Sequence, residues 1–122
     1  MTFFQDMQLR HTIKDNIIII GIEGAIHATH SKAFKQYLQP FLEDPTINGM
    51  GLNCQNLQFI DSSALGILIA AFHRLTARNA KLTVYGLNEQ MTDFFINVVS
   101  MDHLLAIYPD ERQALDYLLL PN

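Results

Sequence analysis

Segments with the periodicity of β-strands alternate with segments with the periodicity of helices along most of the chain. Strand-like runs occupy residues 7–14, 17–24, 50–60, 81–86 and 104–108, and apolar residues at helical spacing occupy 30–42, 62–78, 88–98 and 110–120. Strands separated by helices of ten or more residues pair in parallel through crossover connections. The pattern therefore predicts an α/β fold, a mixed four- or five-stranded sheet packed with about four helices.

The first two strand-like runs are predicted to form a β-hairpin that opens the sheet. Apolar and polar residues alternate from Met7 to Lys14, which is typical of a half-buried strand. Asp15 and Asn16 follow and predict a two-residue turn, because both residue types tolerate positive φ. The next run, IIIIGIEG, is almost continuously β-branched, which indicates a strand buried on both faces.

Composition predicts one domain over residues 1–122 and does not favour a nucleic-acid partner. The 122 residues are 49% hydrophobic and 16% charged, a globular composition with enough chain for a single core. The formal net charge is −4, and the basic residues are scattered singly without a stripe that could neutralise phosphates.

The cysteine count and the apolar segments predict a cytoplasmic protein in a reducing compartment. Cys54 is the single cysteine, so no internal disulfide can form, and its setting in an apolar run predicts a small core residue. The start, MTFFQDMQLR, lacks the cationic region and apolar stretch of a signal peptide. The longest strongly apolar stretch, residues 64–72, is about half of the ~20 residues that a membrane span needs, so no membrane insertion is expected.

The sequence IDSSALG places a carboxylate and two hydroxyls where a strand ends and an apolar helix begins. Functional sites of α/β sheets tend to lie at the carboxyl ends of strands, and the free N–H groups of a helix N-terminus attract negative charge. Asp61, Ser62 or Ser63 could each cap the helix, for ~1 kcal/mol of stability. Capping accounts for one of these residues but not for a run of three. The helix is apolar on nearly every side, so it should lie between the sheet and another helix or a partner protein.

Two chemical alternatives have little support in the sequence. A serine hydrolase would need a G-x-S-x-G elbow, which is absent, and a base, which cannot be assigned among the five histidines: His11, His27, His30, His73 and His103. A metal site could use His27 and His30, but no third ligand has a defining spacing, and no phosphate-binding glycine loop is present. We therefore predict no catalytic residue, no metal and no cofactor.

The segment NLQFIDSSALGILIAAF resembles the signature of STAS domains of the anti-sigma factor antagonist type: an apolar strand, Asp-Ser-Ser-Gly-Leu-Gly, then an apolar helix. The earlier segment IIIIGIEGAI resembles the strand and Gly-Glu-Leu-Asp loop near the start of that family. The resemblance implies that Ser62 accepts phosphate from an anti-sigma factor with serine kinase activity. A serine phosphatase would then restore binding and so regulate sigma-factor-dependent transcription in a bacterium.

The resemblance also implies roles for residues around the phosphoacceptor. Asp61 would orient the hydroxyl or hold the loop, and Ser63 would cap the helix. Gly66 would allow a close approach between the helix and its neighbour. Thr29 and His30, from the adjacent loop, would contact the partner.

The sequence departs from the family pattern at two positions. Ala64 replaces the glycine after the serines, which a helix tolerates or favours by up to ~1 kcal/mol. His27 stands near the usual acidic residue of the loop, which could change the partner that is accepted. In the alternative reading the serines only cap the helix, and the domain is a scaffold or small-ligand-binding subunit of a transport or stress-sensing complex. An exposed strand edge and the apolar helix would be compatible with a homodimer.

Overall fold

A six-stranded mixed sheet runs through the computed structural model, which describes residues 2–4 and 6–121, the first three by their backbone alone. The strands lie side by side in chain order: β1 (Thr2–Phe4), β2 (Met7–Lys14), β3 (Ile17–Ile26), β4 (Gly49–Ile60), β5 (Lys81–Tyr85) and β6 (Ala106–Tyr108). Helices follow β3, β4, β5 and β6 in turn: α1 (Ser31–Glu43), α2 (Ser62–Ala77), α3 (Glu89–Asp93) and α4 (Glu111–Leu119). The predicted α/β class is confirmed.

The hairpin β2–β3 forms at the predicted turn. Asp15 and Asn16 both have positive φ, 55° and 66°, as a type I′ turn requires. The antiparallel ladder then runs from Lys14 opposite Ile17 to Met7 opposite Gly24. From β3 onward the strands pair in parallel.

Side chains that alternate along β4 divide the core between the two faces of the sheet. Met50, Leu52 and Cys54 belong to the main core, together with Leu38 of α1 and Leu68 of α2. Right-handed crossovers between strands that follow one another across a sheet place successive helices on the same face. The helix α2 thus lies on the sheet beside α1. It was expected to lie between the sheet and another helix or a partner protein, but within the described chain its outer face, with Gly66, Ala70 and Arg74, is exposed.

The opposite face of the sheet is covered by α4. Leu118 occupies the space that a larger residue at Gly49 or Gly51 would need. The Tyr85 hydroxyl donates to the Glu111 carboxylate over 3.2 Å and ties α4 to β5. The second face is therefore covered over β4–β6, and Ile17 and Ile19 of β3 lie at the edge of α4.

Three local features differ from the sequence expectations. The strand β1 was not predicted, because three residues are too few to show a period. In β2, Met7 and Leu9 are buried as expected, but His11 is exposed although its ring contacts Phe41 of α1, and Ile13 is 52% exposed. The predicted helix over 88–98 is α3 continued by a π-helical turn, Phe94–Val98. Of the helices described, none has both the length and the apolar composition of a membrane span.

Candidate functional site

The ends of β3 and β4 bring two loops together. Ile26 is paired with Ile60 at the last positions of these parallel strands, and the Asp61 N–H donates to the Ile26 carbonyl over 3.0 Å. His27 follows Ile26 directly, and Asp61 and then Ser62 follow Ile60. Because paired strands lie about 5 Å apart, the segments 27–30 and 61–63 leave the sheet as neighbours.

Asp61 is the N-cap of α2. Its backbone is extended (φ −92°, ψ 175°), and its Oδ1 accepts the Ala64 N–H over 3.0 Å and the Ser63 hydroxyl over 2.7 Å. These hydrogen bonds, from Ser63 first and then from Ala64, hold the pKa of Asp61 below its usual value. The expectation that Ser63 caps the helix is therefore wrong. Its hydroxyl lies within the first turn and donates back to the true cap, so both side chains fix the start of α2.

Ser62 is the first residue of α2 and is exposed. Within residues 6–121 its hydroxyl makes no hydrogen bond, since Ser63 and Ala64 are the donors to the neighbouring Asp61 carboxylate. The hydroxyl stands at a helix N-terminus, where partial positive charge accumulates. An electrophile or a partner protein can reach this oxygen without displacing a packed side chain.

The segment 27–30 forms a short 3₁₀ turn beside the serines. His27 C=O accepts the His30 N–H over 2.9 Å, and the His27 N–H donates to His30 Nδ1 over 3.1 Å. Thr29 is exposed at its tip, and the Ser31 hydroxyl closes the turn on the Ala28 carbonyl over 2.8 Å. The candidate contact residues of this loop are thus held in one conformation next to Ser62.

Phe59, which the sequence pattern did not single out, extends the same surface. Its ring lies 5.2 Å from the His27 ring, and 43% of the residue is exposed. The pairing of β3 with β4 shifts between Gly24 and Ala25, so Gln58 is an extra residue in β4 and both it and Phe59 are exposed. The sequence Leu57, Gln58, Phe59 shows only an alternation of apolar and polar residues, which does not reveal a bulge. It therefore could not show that Phe59 is exposed.

Ala64 and Gly66 do not have the expected surroundings. Ala64 is fully buried, so it supports the loop through its N–H and cannot touch a partner. Gly66 is exposed, and a methyl group added there would meet no atom within 4 Å. The expectation that Gly66 permits a close helix approach is therefore wrong, because this position faces open space beside α1.

The histidines do not converge on the serines. His11 pairs with the Tyr37 hydroxyl over 2.6 Å, and His73 and His103 are exposed on other parts of the chain. His27 and His30 contact each other, yet in the described part of the chain no three side chains of metal-binding type come together. No described histidine is hydrogen-bonded to Ser62 or Ser63, so the site lacks the arrangement that activates a serine nucleophile.

Residues 8–114 match the STAS domain family. The chain belongs to that family. The resemblance predicted from the Asp-Ser-Ser segment is thereby confirmed, and the match includes both loops of the candidate site.

Solved structures with the same fold include antagonists and a transporter. An anti-sigma factor antagonist from Mycobacterium paratuberculosis has a TM-score of 0.82 at 18% identity, over 97% of this chain and 98% of that chain. The Bacillus cell fate determinant SpoIIAA in its phosphorylated form has a TM-score of 0.68 at 16% identity, over 91% and 97%. The murine anion transporter Slc26a9 has a TM-score of 0.73 at 12% identity, over 88% of this chain and 18% of that chain. At these identities the likeness shows the fold alone.

Proposed function

We propose that this STAS domain is a bacterial anti-sigma factor antagonist, a protein-binding module and not an enzyme, that acts in the cytoplasm. In its unphosphorylated form it binds an anti-sigma factor with serine kinase activity, phosphorylation of Ser62 releases it, and a serine phosphatase restores it. The observation that carries the proposal is the exposed Ser62 hydroxyl at the start of α2, which makes no hydrogen bond with the described residues. Likeness to antagonists, one of them solved in a phosphorylated form, supports it.

The proposed switch acts on the interface and not on the fold. Phosphorylation adds about −1.5 to −2 charges at pH 7. A helix N-terminus favours negative charge, so α2 should remain folded. A partner that covers the neutral hydroxyl would instead have to bury a doubly charged group beside the Asp61 carboxylate. An uncompensated buried charge costs several kcal/mol, and about 1.4 kcal/mol already means tenfold in affinity.

In this proposal some residues around Ser62 support the start of α2, and others contact the partner protein. Asp61 and Ser63 hold the first turn of α2, so the Ser62 hydroxyl is presented in a fixed position. His27, Thr29 and the newly identified Phe59 are the side chains that a partner would touch around it.

Phosphate mapping tests the proposal. The purified protein is incubated with ATP and the kinase-type anti-sigma factors encoded near its gene, and fragmentation mass spectrometry then distinguishes Ser62 from Ser63. We expect phosphate on Ser62 in the wild type and in Ser63→Ala, and none in Ser62→Ala. Phosphate on another residue would contradict the proposal, as would its absence with a kinase that is active on a second substrate.

A second function is favoured by the likeness to Slc26a9, whose STAS-like part is 18% of a transporter chain. In that case the protein is a constitutive scaffold or small-ligand-binding subunit of a transport or stress-sensing complex, and Asp61 and the serines serve the helix start alone. Affinity purification from the source cell separates the two functions. Recovery of a kinase-type anti-sigma factor supports the antagonist, whereas recovery of membrane transport subunits supports the scaffold.

A further inference from the structure

A groove of about 510 Å³ lies between α1 and α2 on the outer side of the molecule. Its lining residues come from one side of each helix, between Lys35 and Leu42 of α1 and between Ser63 and Arg74 of α2. At 1.5 Å per residue, the stretch from Ser63 to Arg74 runs about 16 Å, or three helical turns. A groove of this length between two helices suits an extended ligand such as another helix.

Small residues on α2 create the groove. Gly66 and Ala70 are exposed, and the space next to Gly66 is empty to at least 4 Å from an added methyl group. The apolar side chains of Leu38, Ile67 and Ala71 lie along its floor. A row of apolar side chains could therefore enter between α1 and α2 without any change in the backbone.

The charged side chains that line the groove are both cations, and two carboxylates, Glu43 and Asp61, lie next to the lining, where they accept hydrogen bonds from Gln39 and Ser63. Lys35 of α1 and Arg74 of α2 line the groove, and both are exposed. Neither makes an ion pair or a hydrogen bond with another residue of the described chain, and the lining contains no carboxylate. Two unpaired cations beside an apolar floor, on a protein with a net charge of −4, favour an acidic and amphipathic occupant.

We propose that this groove binds an amphipathic α-helix of a partner protein, with apolar residues over Gly66 and Ala70 and carboxylates at Lys35 and Arg74. The inference rests on the proposed function in one respect: Ser63 lines one end of the groove, so a phosphate on the adjacent Ser62 would stand at that end. Its charge would repel the acidic helix. This gives the phosphorylation switch a physical target, namely the carboxylates of the occupant.

Site-specific photo-crosslinking tests the groove in the source cell. The crosslinking amino acid p-benzoylphenylalanine is introduced at Ala70, in the groove, and at Thr76, an exposed α2 position outside it, in the full chain carrying Ser62→Ala. The alanine keeps that position unphosphorylated, so the result does not depend on the switch. We expect a protein adduct at Ala70 in excess over Thr76, and mass spectrometry should place it on an acidic amphipathic helix.

Charge exchange then tests the recognition itself. A synthetic peptide of the crosslinked segment is titrated against the double variant Lys35→Glu and Arg74→Glu by fluorescence anisotropy. The matched control, Lys14→Glu and Lys32→Glu, makes the same charge change at exposed positions outside the groove. We expect the groove variant to bind about tenfold more weakly and the control to bind nearly as the wild type does. A peptide with lysine in place of its groove-facing acids should recover binding to the groove variant.

Several results would overturn the inference. These are equal crosslinking at Ala70 and Thr76, an adduct with a lipid or a second copy of this chain, an adduct peptide without carboxylates, and equal weakening by the two double variants.

The proposed groove and the proposed phosphorylation switch can fail separately. Crosslinking to an acidic helix in a protein whose Ser62 no kinase modifies would retain the groove and reject the switch. Phosphate on Ser62 without crosslinking at Ala70 would retain the switch and reject the groove.

Discussion

Asp61 fixes the first turn of α2 through two hydrogen bonds to one carboxylate oxygen. Alanine at this position would remove both bonds, and loss of an N-cap costs about 1 kcal/mol. We expect Asp61→Ala to lower the free energy of unfolding by about that amount at pH 7, measured by urea denaturation. Asp61→Asn is the matched control, because asparagine also caps helices, and it should lose less. No loss in Asp61→Ala would mean that the cap contributes nothing.

The same carboxylate makes the cap depend on pH. Hydrogen bonds from Ser63 and then Ala64 lower the pKa of Asp61 in the folded protein, so the folded state binds this proton more weakly than the unfolded chain. The stabilisation is thus fully present above the ordinary aspartate pKa of about 3.9 and is lost as the pH falls through the lowered folded value. The stability difference between wild type and Asp61→Asn should shrink as the pH falls below about 3.9. A constant difference across this range would contradict the assignment.

Ser62 is predicted to matter for binding and not for folding. Because its side chain is exposed and makes no hydrogen bond with the described residues, Ser62→Asp should leave the circular dichroism spectrum and melting curve nearly unchanged. The added charge should weaken binding of the anti-sigma partner by roughly tenfold or more, measured by calorimetry, with Ser62→Ala as the binding-competent control. A large loss of stability in Ser62→Asp would show that the residue is mainly structural.

At the residue scale, the sequence was sufficient to predict the cluster of Asp61 and the serines but not the role of each residue in it. The strand end and helix start are local signals, and both are present in IDSSALG. Which of three adjacent side chains caps the helix depends on backbone angles that composition does not reveal. The outward position of Phe59 depends on a bulge between two strands, which is set by pairing with β3.

At the element scale, Arg78 joins the two helices that border the groove. It follows α2, and its guanidinium donates to the Leu42, Phe41 and Ile47 carbonyls at and beyond the end of α1. A basic residue at this position would by itself be expected to favour the C-terminus of its own helix. The structure shows that the charge serves the neighbouring helix, a contact across 36 residues that no local pattern predicts.

We expect Arg78→Ala to destabilise the protein by about 2 kcal/mol, since hydrogen bonds to charged groups contribute about 1.5–3 kcal/mol and the α1 carbonyls would lose their donor. Arg74→Ala is the matched control, because Arg74 is exposed and unpaired among the described residues, and its change should stay within about 0.5 kcal/mol. Urea denaturation of both variants measures these changes in the free energy of unfolding. Equal effects would show that the clamp at the end of α1 is not stabilising.

At the scale of the whole molecule, the sequence predicted the class of fold but not how its two faces are covered. Right-handed crossovers place α1, α2 and α3 on one face, whereas a helix after the last strand has no such rule. The position of α4 follows from Gly49 and Gly51, which leave room for Leu118 on the second face. Such complementarity between residues more than sixty positions apart is a tertiary property. The burial of Cys54 was predicted correctly because it depends on a local pattern, the alternation that places Cys54 on the same face of β4 as Met50 and Leu52.

Cys54 reports on unfolding of the whole molecule. It is 2% exposed in β4, and burial raises its pKa to about 12, so in the folded state it is neither accessible nor ionised at pH 8. We expect its reaction with a disulfide reagent to be at least a thousandfold slower than in denaturant, roughly the ratio that a stability of 5 kcal/mol gives. If labelling requires global unfolding, the loss of about 2 kcal/mol in Arg78→Ala should accelerate it roughly thirtyfold, although Arg78 is remote in sequence. Rapid labelling of the native protein, or a rate that Arg78→Ala leaves unchanged, would show that β4 opens locally and that the two helices do not share one cooperative core with the sheet.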